Sequence, residues 1–131
     1  MQIQSVNYQP NFRGNLIGKG ITLLKDSNCR IKSGMDKYAY LKIPDNLLIK
    51  MKDMVKEKPY DIFISKNKNN PEFVNIDAGY SFENVKKGQQ GKIKVRRDTL
   101  EALPIAIKDA IECFEDSEIN KFLESNLYAR K

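Results

Sequence analysis

Leu100, Leu103, Ile107, Ala110, Ile111 and Phe114 recur at three- and four-residue spacing, so a helix over residues 98–114 carries all six along one side. Such a stripe needs an apolar surface to cover, and the segment before it supplies one. Residues 91–97 alternate Ile93 and Val95 with Lys92, Lys94 and Arg96, the two-residue period of a strand with one apolar and one cationic face. Together they predict a sheet with at least one helix laid across it. Asp98 is the expected N-cap, with Glu101 three residues on completing a capping box. Pro104 removes the amide that would bond the Leu100 carbonyl, so either the helix kinks there or a first turn ends near Leu103 and a second helix starts at Pro104.

A second amphipathic helix is read over residues 45–57, started by Pro44 and Asp45, with Leu47, Leu48, Met51, Met54 and Val55 in one stripe. Residues 60–65 follow as a strand with Ile62 and Ile64 on one face and Phe63 on the other, the pattern of an interior strand covered from two sides. After a polar loop tip at 66–71, residues 72–80 return as its hairpin partner with Val74, Ile76 and Ala78 inward. Upstream, 21–25 and 28–33 read as a hairpin turned at Asp26 and Ser27, and 36–43 as a further strand rich in Tyr38, Tyr40, Leu41 and Ile43. Residues 81–88 read as a helical turn capped by Ser81, with Phe82 and Val85 inward and Gly88 as its stop. Ser117 is expected to cap a last short helix with Ile119, Phe122, Leu123 and Leu127 on one face. Residues 1–8 alternate weakly enough to be a first strand, and the glycine-spaced stretch 9–20 reads as loop, so 1–20 is expected as a loosely ordered N-terminal arm.

The fold expected is therefore α+β: a mainly antiparallel sheet with two or three amphipathic helices packed on one face, in a single domain of 131 residues. A composition 40% apolar and 31% charged belongs to a chain that folds. There is no apolar run of about 18 residues and no charged start followed by an apolar stretch. Cys29 and Cys113 stand far apart, in no metal-binding or redox spacing. These features predict a cytoplasmic protein with no membrane association and two buried or half-buried free thiols.

The chain has no histidine, which removes the commonest general base, the catalytic triad and most zinc sites. Asp61, Asp77 and Glu83 fall in or beside the central hairpin, where an acid pair or a Mg²⁺ site is conceivable, but nothing in their spacing marks them and they are read as solvent-facing acids. No catalytic residue, metal or cofactor is assigned. Residues 14–19 run Gly-x-x-x-Gly-Lys, one residue short of a phosphate loop and followed by Gly20 in place of the Mg²⁺-binding hydroxyl. Residues 88–91, Gly-Gln-Gln-Gly, have the spacing of the clamping loop in KH-type RNA-binding domains, yet enter a strand where that loop joins two helices. Neither is taken as a nucleotide or RNA motif.

Charge placement is the sharper clue. The net charge of +6 divides into +7 over residues 1–70 and −1 over 71–131. Lys86, Lys87, Lys92, Lys94, Arg96 and Arg97 come with no acid between them, and residues 98–118 then hold seven acids and only Lys108. On a strand, Lys92, Lys94 and Arg96 would sit about 6.5 to 7 Å apart, near the phosphate spacing of a nucleic-acid strand, with Tyr38, Tyr40, Tyr80 and Phe82 as candidate stacking surfaces. Lysines also blunt sheet edges, and the acidic helix is placed to neutralise them. The favoured reading is a non-catalytic interaction or structural module of unknown ligand that contacts a protein partner or a second copy of itself. The alternative is a nucleic-acid-binding protein using the six cations, and the third class is an enzyme without histidine chemistry.

Overall fold

In chain order the elements of the computed structural model are β1 (Leu16–Lys19), β2 (Thr22–Lys25), β3 (Tyr40–Ile43), α1 (Asp45–Val55), β4 (Asp61–Lys66), β5 (Phe73–Gly79), β6 (Ile93–Arg96) and α2 (Leu103–Ala129). The structure describes residues 13–28, 30, 31, 33–83, 85 and 93–129. The fold is α+β, with a mixed four-stranded sheet in the order β1-β4-β5-β6 and a separate two-stranded sheet of β2 and β3. Two of the three ladders in the main sheet are antiparallel; β1 joins the far side of β4 in parallel.

Both helices cover one face of the main sheet. Leu48, Met51 and Val55 of α1 and Leu103, Ile107 and Ala110 of α2 share a buried cluster with Ile62, Ile64, Val74, Ile76 and Val95. Burying side chains of this size contributes roughly 1.5 to 3 kcal/mol each. The opposite face of β4 is covered too: Phe63, 2% exposed, packs on Phe82 with ring centroids 5.6 Å apart. Phe82 is held there by a helical turn in which the Val85 N–H donates to the Ser81 carbonyl at 3.1 Å.

Three local expectations change. Among the described residues the hairpin over 21–33 is absent; β2 pairs in parallel with β3 from Thr22↔Tyr40 to Lys25↔Ile43. Asp26 and Ser27 lie in a short 3-10 turn, and the Ser27 amide and hydroxyl both donate to the Asp45 carboxylate at the start of α1. That bond ties the end of β2 to a helix and not to a returning strand. The strand expected from 36 begins at Tyr40, because Asp36 accepts the Tyr38 N–H at 3.0 Å and caps a 3-10 turn, Lys37–Ala39. Within the expected N-terminal loop, residues 16–19 are β1; Asn15 anchors it, donating to Asp61 at 2.8 Å and accepting the Ile62 N–H at 2.9 Å.

The C-terminal helix resolves the choice at Pro104. A 3-10 turn, Leu100–Ala102, ends where α2 begins at Leu103, so Pro104 falls in the first helical turn, where its missing N–H breaks no bond. The capping box is absent: Thr99 holds the N-cap position of the 3-10 turn without a side-chain cap bond, and Asp98 binds Arg96 instead. Ser117 interrupts nothing, since α2 is continuous to Ala129. Cys113 is a free thiol but exposed, against the expectation of burial, and Cys29 lies outside the described residues. No helix among the described residues is long and apolar enough to cross a membrane.

Candidate binding surface around β6

The expected basic stripe converges on β6, and the register fixes where its groups point. The Arg97 N–H donates to the Glu72 carbonyl at 2.8 Å, and Val95 and Ile93 lie opposite Val74 and Ile76. Residues 93, 95 and 97 therefore turn their backbone groups toward β5, while those of Lys94 and Arg96 point away from the sheet. The Arg96 carbonyl is taken by the Thr99 N–H at 3.1 Å. No strand among the described residues pairs with this outer edge.

The side chains divide between the two faces. Val95, 5% exposed, enters the core, whereas Lys94 and Arg96 stand on the other face opposite Asn75 and Phe73. Arg96 lies over the Phe73 ring at 5.6 Å and forks onto Asp98 at 3.1 and 3.3 Å, with Glu72 at 3.9 Å. The paired Asp98 carboxyl is held below its ordinary range by these Arg96 bonds and by the Thr99 hydroxyl. Neutralisation at Arg96 thus comes from Asp98 and Glu72 and not from the acidic helix, whose Glu115 instead accepts from Lys58 and Tyr60.

Beside the outer edge of β6 runs a groove of about 330 Å³ floored by Ile93, Val95, Ala102 and Ala106 and rimmed by Lys94, Thr99 and Asp109. Ile105 stands on its wall, 65% exposed. Ala102 and Ala106 are small, so the end of the 3-10 turn and the first turn of α2 leave open space where larger side chains would fill it.

Arg97 leaves the strand direction. At the turn after β6 its guanidinium reaches across to the small sheet, where Nη2 donates to the Lys37 carbonyl at 2.8 Å and to the Tyr40 carbonyl. It also lies 5.4 Å from the Tyr38 ring centroid, and Lys37 Nζ lies 5.0 Å from the same centroid. Nη1 is buried without a hydrogen-bond partner among the described residues, and burial draws the Arg97 pKa below its ordinary value. Between β3 and this turn is a cleft of about 370 Å³ lined by Lys37, Lys42, Arg96 and Arg97 together with Tyr38, Tyr40, Leu41, Glu72 and Asp98.

Of the six cations singled out by sequence, the structure brings Lys94 and Arg96 together on one strand and sends Arg97 into a separate cleft. Lys86, Lys87 and Lys92 lie outside the described residues, as does the glycine stretch 88–91. Tyr38 and Tyr40 do line the cleft. Tyr80 packs edge-on against Tyr60 and Phe114, and Phe82 sits on Phe63 with Lys19 over it at 5.7 Å, so neither lines either cavity. Lys37 and Lys42, outside the run of cations in the sequence, also line the cleft; Arg97 reaches the Lys37 and Tyr40 carbonyls across 60 and 57 residues of chain, a proximity no local pattern signals.

Of the three acids expected to face solvent, Glu83 does, Asp61 is half-buried and Asp77 is buried at 4% exposure, because it lies on the covered face of the central hairpin. Asp61 pairs with Gly79 and Asp77 with Phe63, which sets the two carboxylates diagonally rather than opposite. No cluster of three metal-ligating side chains occurs among the described residues. The glycines of 14–19 have packing roles: a Cβ at Gly14 would meet the Tyr60 carbonyl at 2.1 Å, and one at Gly18 the Ile21 carbonyl at 2.2 Å. No protein family, curated protein or solved structure matches this chain.

Proposed function

We propose that this protein is a non-catalytic interaction module that takes an extended segment of a protein partner as an added strand along β6. The observation that carries this reading is the outward-pointing N–H and carbonyl of Lys94 and N–H of Arg96 running beside an apolar groove, the Arg96 carbonyl being taken by Thr99. Strand addition draws affinity from main-chain hydrogen bonds and specificity from pockets for alternate side chains. One set of partner side chains would enter the groove against Ala102, Ile105 and Ala106; the other would lie beside Lys94 and Arg96. The preferred segment alternates apolar with acidic residues.

The probe is a synthetic peptide alternating valine and glutamate, titrated by fluorescence anisotropy. Lys94→Pro deletes the outward N–H while leaving the ladder to β5 intact, as proline on an edge strand does, and is expected to weaken binding about tenfold or more, the loss of one or more hydrogen bonds to a charge-flanked site. Lys94→Gln keeps the main-chain bonds and should lose only about threefold. A Lys94→Pro protein that is folded and binds undiminished would sink the reading. A parallel titration with single-stranded and duplex oligonucleotides is expected to give no binding at physiological salt. Micromolar, salt-sensitive binding lost in a Lys92→Gln, Lys94→Gln, Arg96→Gln variant would put nucleic acid in the peptide's place.

A further inference from the structure

The cleft between β3 and the 96–98 turn carries a different chemistry from the groove, and among the described residues the two share only Arg96. Its lining places four cations, Lys37, Lys42, Arg96 and Arg97, against two carboxylates, Glu72 and Asp98, an excess of two positive charges within the lining; just outside it Asp26, its side chain 55% exposed, pairs with Lys42 at 3.4 Å, a weak contact screened by solvent. The Glu72 and Asp98 side chains are 62% and 68% exposed, so their pairing with Arg96 is of the weak, solvent-screened kind that an incoming anion can displace. Arg97 is different. Two backbone carbonyls fix its guanidinium through Nη2 before any ligand arrives, and Nη1 is buried without a hydrogen-bond partner among the described residues.

We propose that this cleft binds a phosphomonoester. A guanidinium held in place is suited to phosphate oxygens, and a phosphomonoester at neutral pH carries about 1.5 to 2 negative charges, matching the excess that a single carboxylate would leave half compensated. The volume exceeds what a phosphate group needs and falls in the range of small-ligand sites, and Leu41 and Tyr40 supply an apolar wall for the organic part of the ester. The phosphoryl group has two possible sources, a free metabolite such as a nucleotide or a phosphorylated side chain of another protein.

Amide chemical-shift titration of the full chain with phenyl phosphate tests this. Saturable shifts are expected at residues 37–42 and 96–98, with affinity reduced about threefold or more in Lys37→Gln, the loss of one exposed cation near the anion, and unchanged in Lys108→Gln on α2. Lys37 is exposed and its side chain makes no hydrogen bond or ion pair among the described residues, only the contact with the Tyr38 ring, so its variant is expected to fold. Benzoate, a monoanion of similar shape, should bind at least about fivefold more weakly. Adenosine 5′-phosphate and a phosphotyrosine peptide separate the sources: tighter binding of one assigns it, and equal binding supports recognition of the phosphoryl group itself. Absence of saturable shifts, shifts elsewhere, an unaffected Lys37→Gln, or benzoate binding as tight as phenyl phosphate overturns the proposal.

Discussion

Ile107 is fully buried where α2 crosses the sheet, and its position was legible because helix periodicity alone places it with Leu103 and Ile111. Replacing it with Asp puts an unpaired carboxylate into the cluster and is expected to cost about 3 to 5 kcal/mol, enough to unfold a domain of ordinary stability. Urea denaturation or a thermal melt measures this, and a fully folded Ile107→Asp protein with an unchanged midpoint would show that another side of α2 faces the sheet. Arg97 shows the opposite case. The run of cations groups it with the exposed patch, whereas strand alternation extended through it would set it on the face of Ile93 and Val95; its side chain follows neither, drawn across by carbonyls of Lys37 and Tyr40 that only the tertiary fold brings near. A residue's face follows from local period while the strand lasts; at its end, long-range hydrogen bonds decide.

Among the elements, α1 was legible throughout, since its apolar stripe, its start at Pro44 and its stop before Pro59 all agree. α2 was legible at its buried part and not beyond. From Ile119 to Glu124 every side chain is exposed, including Ile119, Phe122 and Leu123 at 55%, 65% and 52%, although their spacing resembles that of a packed helix. The reason is geometric: 27 residues of helix extend about 40 Å, whereas four strands at about 4.8 Å spacing are far narrower. Residues 119–124 lie beyond the buried part of α2 and are exposed among the described residues. Changing Ile119, Phe122 and Leu123 together to Gln should therefore move stability by no more than about 1 kcal/mol. A chemical-denaturation midpoint that falls by the amount expected of core substitutions would mean that these side chains are packed.

At the scale of the molecule, pairing was the least legible feature. Period-two runs mark strands but do not say which neighbour each takes, and the two parallel ladders join segments apart in the chain, β1 with β4 across β2, β3 and α1, and β2 with β3 across residues 26–39. Beside the shared apolar cluster, a small set of polar contacts links the parts, and one of them sets an expected pH dependence. Lys58 and Tyr60, in the connection from α1 to β4, both donate to Glu115 of α2, the lysine at 2.9 Å. Those bonds, Tyr60 first and Lys58 second, hold the Glu115 carboxyl below its ordinary 4.5. Its stabilisation is complete above that value and is lost as the pH falls through the lower folded one. Tyr60 moves the other way: burial, then the bond to Glu115, raises its pKa above the ordinary 10.0. The folded state keeps this proton, so the contribution is complete below pH 10 and is lost as the pH rises beyond it. Stability should be flat between these limits and fall on both sides. Glu115→Gln should reduce the acid slope without abolishing it, because Asp45 and Asp98 are also held low by their hydrogen bonds. Tyr60→Phe should reduce the alkaline slope. The Glu115 side chain is 41% exposed, so the acid-side change is modest, within the range of partly screened pairs. Urea midpoints measured across pH 3 to 11 decide it: an acid limb identical in wild type and Glu115→Gln would remove this contact from the forces that hold α2 to the rest of the fold.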